Sequence, residues 1–385
     1  MWTFHTTKTA RFVLMPTAVR EPLPVPTAST WARVSAIISR AISRARRGSS
    51  LAGRPISRPA RQRLISDSDW RPPLFSRRTF PLLAMVLAVL SFVGRDTLAA
   101  MDTPVFSGER AMELLRDQCD LGPRPMGTPE LEALRVIIEE HARDLDLHTV
   151  RDCFEATHPM TGETVEICNL VVSVGPRGGD RLWLGAHYDT RPVADRDPDP
   201  ARRQEPIIGA NDGASGVAVL LHLLEIMSVQ APPRGVDVIF FDGEDAGIPR
   251  DPGSYCLGSQ HLAETWRDMG GPLADGQPRG MILLDMVGEI DLRIPMERLS
   301  LVRAPAWTRE VFSRAERLGL AAFVPEPGPA VIDDHEPFLR IGVPAVDLID
   351  FDFPQWHTLA DTPDICAPES LGQVGELVVD LVYHP

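Results

Sequence analysis

No two of the five cysteines, Cys119, Cys153, Cys168, Cys256 and Cys366, stand in a CxxC pair. That absence argues against a thiolate zinc site. One disulfide would suit an exported protein, but an odd count leaves a thiol over unless pairing is between chains, and the spacing does not select the pair. There is no internal repeat. The apolar run that ends at Val93 is about 14 residues long, short of the ~20 that a spanning helix needs. Basic side chains are scarce beyond the N-terminal stretch. Residues 1–78 hold 15 basic and 3 acidic residues, and residues 79–385 hold 24 and 50, a balance of −26 within a formal charge of −14. A body this acidic lacks the basic face that nucleic acid requires, so no nucleic-acid partner is expected.

What is present divides into three parts. The chain has 385 residues, 44% hydrophobic, enough to build a large core. Residues 1–75 are rich in Arg, Ser, Pro and Ala without sustained periodicity. They read as a disordered extension, or as sequence upstream of a true start near residues 60–75. In residues 76–100, Ser76-Arg77-Arg78-Thr79-Phe80 precedes the apolar run, and Ala99 and Ala100 close it. This resembles a twin-arginine export signal and implies a periplasmic or secreted protein. A membrane tether through residues 80–93 is the alternative. Residues 101–385 carry the folded domain.

Within that domain, Val236-Asp237-Val238-Ile239-Phe240-Phe241 reads as a buried central strand that Gly243 interrupts, leaving Glu244 and Asp245 where the sheet ends. Strands at 149–155, 168–174, 181–186, 281–284 and 343–349 alternate with helices. The helices are expected over 107–118, from Thr128-Pro129 onward, over 217–227, near Gly258, from a Thr308 cap to Leu318, and over 368–383. The stretch 191–206 reads as an exposed loop with no core content. The alternation indicates a three-layer α/β/α sandwich around a mixed, mostly parallel sheet.

Open α/β sheets bind ligands at the carboxyl ends of their strands. Four such ends carry metal-type ligands: His187, the pair Glu244-Asp245, Asp285, and His357 beyond the last strand. Asp212, in Gly209-Ala210-Asn211-Asp212-Gly213-Ala214-Ser215-Gly216, sits at a helix start. Singly, each has an ordinary reading: Asp212 as a helix cap, Asp285 as a strand-end acid, His187 and His357 as cleft histidines, Asp189 as a loop acid. Together they form a His and carboxylate set that suits zinc or a similar divalent ion.

The order His187-x-Asp189, Asp212, Glu244-Asp245, Asp285 and His357 resembles metallopeptidase family 28, the zinc aminopeptidase superfamily. The strings HYDTRP with ADRDPDP, FFDGED, YCLGSQHLA, LLDMVG, DDHEPFLRIGVP and WHT resemble, more narrowly, its glutaminyl-peptide cyclotransferases. The resemblance implies Glu244 as general base and Asp212, Asp245 and His357 as ligands of one zinc. Asp189 would orient His187. A second zinc, at His187 and Asp285 with Asp212, is the alternative. Asp285 and Asp333 would share a proton beside the base, and Trp356 would wall the pocket. The animal enzymes have Glu where this chain has Asp245, which shifts the metal by roughly one bond.

The implied reaction turns the N-terminal glutamine of peptides or proteins into pyroglutamate with release of ammonia. Two alternatives remain open: a zinc aminopeptidase on the same fold, and a non-catalytic peptide-binding domain.

Overall fold

The computed structural model describes residues 103–268 and 276–385. The N-terminal extension, the export signal and the membrane tether expected within residues 1–100 lie outside the described residues. Among the described residues no helix is long and apolar enough to cross a membrane.

Six strands form the main sheet: β1 Thr149–Thr157, β2 Thr164–Val174, β3 Asp180–His187, β4 Gly235–Phe241, β5 Gln277–Asp285 and β8 Ala345–Ile349. Their order is β1-β2-β4-β3-β5-β8. β1 and β2 run antiparallel to their neighbours, and β4, β3, β5 and β8 are parallel. Every residue of β4 is buried, as a strand covered on both faces requires. Helices α1 Gly108–Cys119, α2 Pro129–Asp144, α3 Ala214–Val229 and α8 Pro368–Tyr383 cluster on one face; α4 Leu257–Thr265, α5 Arg298–Arg303 and α7 His335–Arg340 pack on the other. This is the expected mixed, mostly parallel three-layer sandwich.

The helix starts follow local chemistry. Ser107 Oγ accepts the Arg110 N–H at 3.2 Å, and Thr128 Oγ1 accepts that of Leu131 at 3.3 Å with Pro129 just inside the helix. Helix α6, Pro305–Leu318, starts a turn before the expected Thr308 cap. Pro305 presets the helical φ, so Thr308 lies inside and its hydroxyl donates to the Ala304 carbonyl at 2.9 Å. Gly319, at φ 73°, ends α6 as expected. Helix α3 is buried almost all round, not only at Leu220, Leu221, Leu224 and Met227, because α1, α2, α8 and the sheet enclose it.

Three further departures concern segments with weak local signals. A parallel pair, β6 Ile294–Met296 and β7 Phe323–Pro327, was not expected, since each strand contains proline. The loop 191–206 begins inside the protein, with Arg191 and Ala194 fully buried, and only its later part is exposed. Cys153 and Cys168 face each other across β1 and β2 and form a disulfide; Cys119, Cys256 and Cys366 are buried free thiols.

Asp237, the one charge in the β4 pattern, is paired. Arg181 of β3 donates to it through Nε at 2.6 Å and Nη2 at 2.8 Å, and both side chains are buried. Arg181→Met strands the carboxylate and should cost about 3–5 kcal/mol, read as a lower urea midpoint. The double variant with Asp237→Leu should recover most of that loss. A single variant as stable as the parent would remove the pair from the stabilising set.

Candidate active site

The four parallel strands end on one edge, and that edge collects the chemistry. His187 is the last residue of β3 and Asp285 the last of β5. After β4, Gly243 adopts φ 68°, a left-handed turn that glycine makes without strain, and swings Glu244 and Asp245 over the edge. Gly213, at φ 101°, opens α3; a side chain there would meet the Asp189 carbonyl at 2.7 Å. That close approach sets Asp212 against His187.

Buried carboxylates hold the loops. Asp189 accepts the N–H groups of Glu244 and Asp245, both at 3.1 Å. Its nearest oxygen is 3.6 Å from His187 Nδ1, so its hydrogen bonds go to the acidic turn and not to the histidine. Asp361 accepts the N–H groups of Asn211 and Asp212 at 2.8 and 3.1 Å.

Two ligand trios share one carboxylate. His187 Nε2 lies 3.3 Å from Asp212 Oδ1 and 3.1 Å from Asp285 Oδ1. His357 Nε2 lies 3.8 Å from Asp212 Oδ2 and 3.3 Å from Asp245 Oδ1. In each trio the potential donor atoms lie within 4.8 Å of one another. Asp212 Oδ2 and Asp245 Oδ2 are buried without a hydrogen-bond partner. Such orphaned oxygens are costly unless a cation or proton meets them.

The electrostatics match that reading. Burial pushes Glu244 well above the usual carboxylate range, against the pull of His187 and with Asp245 and Asp333 adding to the rise. Burial also raises Asp285 and Asp333, each further raised by neighbouring acids. Burial opposes a charge on His357, yet Asp245, Asp195 and Asp212 hold its pKa up at about 9. Without a metal these groups hold protons; a divalent cation can replace them.

The acids floor a cavity of about 220 Å³ whose apolar wall includes Met286, Val331, Ile349, Phe351 and Trp356. The Trp356 ring lies 4.1 Å from that of His357 and 4.7 Å from that of Phe351. Asp333 Oδ1 accepts the Asp334 N–H at 2.6 Å, and Oδ2 is buried and unpaired; the carboxylate lies in one group with Glu244 and Cys256. Met286, Cys256 and His357 adopt φ values of 46°, 56° and 57°, left-handed backbone that side chains rarely take and that gathers at functional sites.

All the residues nominated from the sequence therefore meet at this cavity or its supporting loops. The sequence reading assigned no role to Asp195, which lies 3.1 Å from His357 Nδ1 and, despite burial, is held well below its ordinary pKa by His357 and Arg191. It also assigned none to Arg191, which donates to the Asp245 carbonyl at 2.8 Å and reaches Asp195 at 3.1 Å. The available signal was an Arg and an Asp four residues apart directly after His187-Tyr188-Asp189.

Residues 169–382 match the profile of peptidase family M28. A glutaminyl-peptide cyclotransferase-like protein of Mus musculus is 30% identical over 283 residues, covering 66% of this chain and 70% of its own. The glutaminyl cyclase of Bacteroides thetaiotaomicron, solved with N-acetylhistamine bound, superposes with a TM-score of 0.69 at 31% identity, covering 74% of this chain and 100% of its own. A structure from the same organism described as a leucine aminopeptidase precursor gives the same TM-score of 0.69 and 31% identity, covering 74% of this chain and 99% of its own. The profile match, the relatives and their coverage lead to one conclusion: this chain belongs to peptidase family M28, in its glutaminyl-peptide cyclotransferase group.

Proposed function

We propose that the protein is a zinc-dependent glutaminyl-peptide cyclotransferase that converts the N-terminal glutamine of peptides and proteins to pyroglutamate and releases ammonia. The observation that carries this is the cavity itself: a raised-pKa glutamate, an all-oxygen-and-nitrogen ligand set and an apolar tryptophan wall in one closed-bottomed space.

The ligand set fits zinc. Donors 2.0–2.1 Å from a tetrahedral zinc lie about 3.3 Å from one another. The gaps of 3.1 and 3.3 Å in one trio and of 3.3 and 3.8 Å in the other are close to that spacing. Asp212, Asp245 and His357 would hold one ion. His187 and Asp285, with Asp212, would hold a second. When bound, zinc supplies Lewis acidity toward the side-chain amide oxygen of the substrate. Asp195 at Nδ1 of His357 fixes the ring with Nε2 toward the metal side.

The remaining work falls to the chain's own residues. Glu244 takes a proton from the α-amine as it attacks the amide carbon, and passes it to the departing ammonia. Burial raises its pKa, which makes it a stronger base than an exposed glutamate. Asp285 and Asp333 repel each other when both are ionised, so one proton shared between them is the stable state beside the base. Trp356 and Phe351 exclude water, which would otherwise attack the amide and give glutamate.

A second reading is a zinc aminopeptidase. It is favoured by the second trio at His187, Asp212 and Asp285, which suits a two-metal site. In this reading Glu244 would instead activate water. Export of the protein to an oxidising compartment is supported by the Cys153–Cys168 disulfide.

The deciding assay offers the zinc-loaded protein a glutaminyl amide and a leucyl amide and follows ammonia and free amine. Ammonia without leucyl cleavage is expected; leucyl cleavage with two zincs per chain would establish the aminopeptidase. Glu244→Gln should keep its zinc and lose about 10²–10⁴-fold in kcat. Ordinary turnover in that variant would remove Glu244 from the base role. In chelator-stripped protein, the His357 imidazole should titrate at about 9 instead of the ordinary 6.5, by NMR. Its folded pKa is raised, so its stabilising contribution is full below pH 6.5 and lost as pH rises through about 9. Zinc should abolish that titration; a His357 pKa unmoved by zinc would exclude it as a ligand.

A further inference from the structure

The cavity has an acidic floor and an apolar wall, but its mouth carries an exposed cation. Of the exposed residues lining it, Pro252, Ala330 and Ile332 are uncharged, and Arg250 alone is charged. Arg250 enters no ion pair among the described residues. Its turn is fixed in place: the Asp251 N–H donates to the Ile248 carbonyl at 3.0 Å, and the Ile248 N–H to Ser254 Oγ at 2.8 Å. A second exposed arginine packs against the cavity's tryptophan. The Arg196 guanidinium lies 3.9 Å from the centroid of the Trp356 ring, and the Arg196 N–H donates to the His357 carbonyl at 3.2 Å. It too enters no ion pair among the described residues.

Both arginines lie beside one cavity in residues 79–385, where acids outnumber bases 50 to 24. Several exposed arginines among the described residues do face an acid: Arg143 pairs with Glu140, Arg202 with Glu205 and Arg293 with Glu326. The excess acid repels anions at long range, so the guanidinium at the mouth is a local exception.

The next step rests on the cyclotransferase reading. With the α-amine and side-chain amide of glutamine at Glu244 and the metal ligands, the rest of the peptide must leave through the mouth. The groups it meets there include Arg250 and the apolar side chains of Ile332 and Pro252. We infer that Arg250, assisted by Arg196 behind the tryptophan wall, is a specificity residue that binds a carboxylate just beyond the N-terminal glutamine. Two sources share this chemistry: an acidic side chain at the second position, and the terminal carboxylate of a dipeptide.

The test uses the full, zinc-loaded chain and ratios of kcat/KM, so that any loss common to all substrates cancels. Gln-Glu-Ala-amide is compared with Gln-Lys-Ala-amide, and Gln-Ala with Gln-Ala-amide. At low salt the carboxylate-bearing member of at least one pair should be favoured by roughly three- to tenfold, the range of an exposed ion pair that also steers encounter. Screening at 1 M salt should bring that ratio near one. Arg250→Glu should invert it. A preference in the first pair assigns the side chain as the source, and one in the second pair assigns the chain terminus. A ratio near one in both pairs at low salt, or a preference that survives Arg250→Glu, overturns the inference. Calorimetric binding of the same peptides to the Glu244→Gln variant separates the two levels of the argument. A carboxylate preference in binding, with no ammonia released from any peptide by the zinc-loaded protein that retains Glu244, upholds Arg250 and refutes the cyclotransferase reading. Ammonia release without any preference does the reverse.

Discussion

The Asp189 carboxylate receives the two backbone N–H groups that follow the β4 turn, and the rest of the site is arranged around that clamp. Glu244 and Asp245 are adjacent in sequence and like in charge. Left in solvent they would splay apart. Tied by their own backbone to a third buried acid, they point into a cavity that already holds Asp212, Asp285 and Asp333. The gathering of so many carboxylates in a space of about 220 Å³ is tolerable only with protons or a cation among them. The raised pKa of Glu244 and the depressed acidity of the nearby histidines are two sides of that one constraint.

Behind the clamp, further buried polar pairs keep the strand ends in place. Asp242, the last residue before the Gly243 turn, accepts from Arg135 at 2.8 Å and from the Cys168 N–H at 2.9 Å. Tyr188 bridges the same group, with its hydroxyl 3.1 Å from Asp242 and 2.6 Å from the Cys168 carbonyl. This network joins α2, β2, the end of β3 and the end of β4. The Cys153–Cys168 disulfide fastens β1 to the strand that supplies one of its partners. A polar web of this kind fixes geometry through its bonded members, and the cavity oxygens Asp212 Oδ2, Asp245 Oδ2 and Asp333 Oδ2 are left without a partner.

Both proposed reactions would use the same sheet edge. The choice between cyclisation and hydrolysis turns on which nucleophile reaches the polarised carbonyl, the substrate's own amine or water. An apolar wall that covers the floor favours the amine. Trp356 takes that role in the proposed reading, and its tilted ring contacts with His357 and Phe351 hold the wall to the ligand set. The left-handed backbone at Met286, Cys256 and His357 is part of the same arrangement, since each bends the chain so that its neighbourhood closes over the acids.

How much of this was legible in the sequence follows from the range of each interaction. The α/β alternation, the buried β4, the helix start at Thr128-Pro129 and the ligands at successive strand ends rest on local patterns, so the fold class and the membership of the site could be read directly. The pairing of Asp195 with His357 spans 162 positions, and that of Asp212 with His357 depends on a loop returning across the sheet edge. No periodicity encodes such closures. Asp189 shows the difference most clearly: its place two residues after His187 suggested a partner for that histidine, yet the β4 turn offers it two N–H donors at better distance. The β6–β7 pair and the early start of α6 were hidden because proline obscures strand signals and moves a helix start by a turn. The sequence thus determined which residues belong at the sheet edge. The tertiary structure decided which of them touch, because hydrogen bonds and charges act over a few ångströms of space regardless of the length of chain between them.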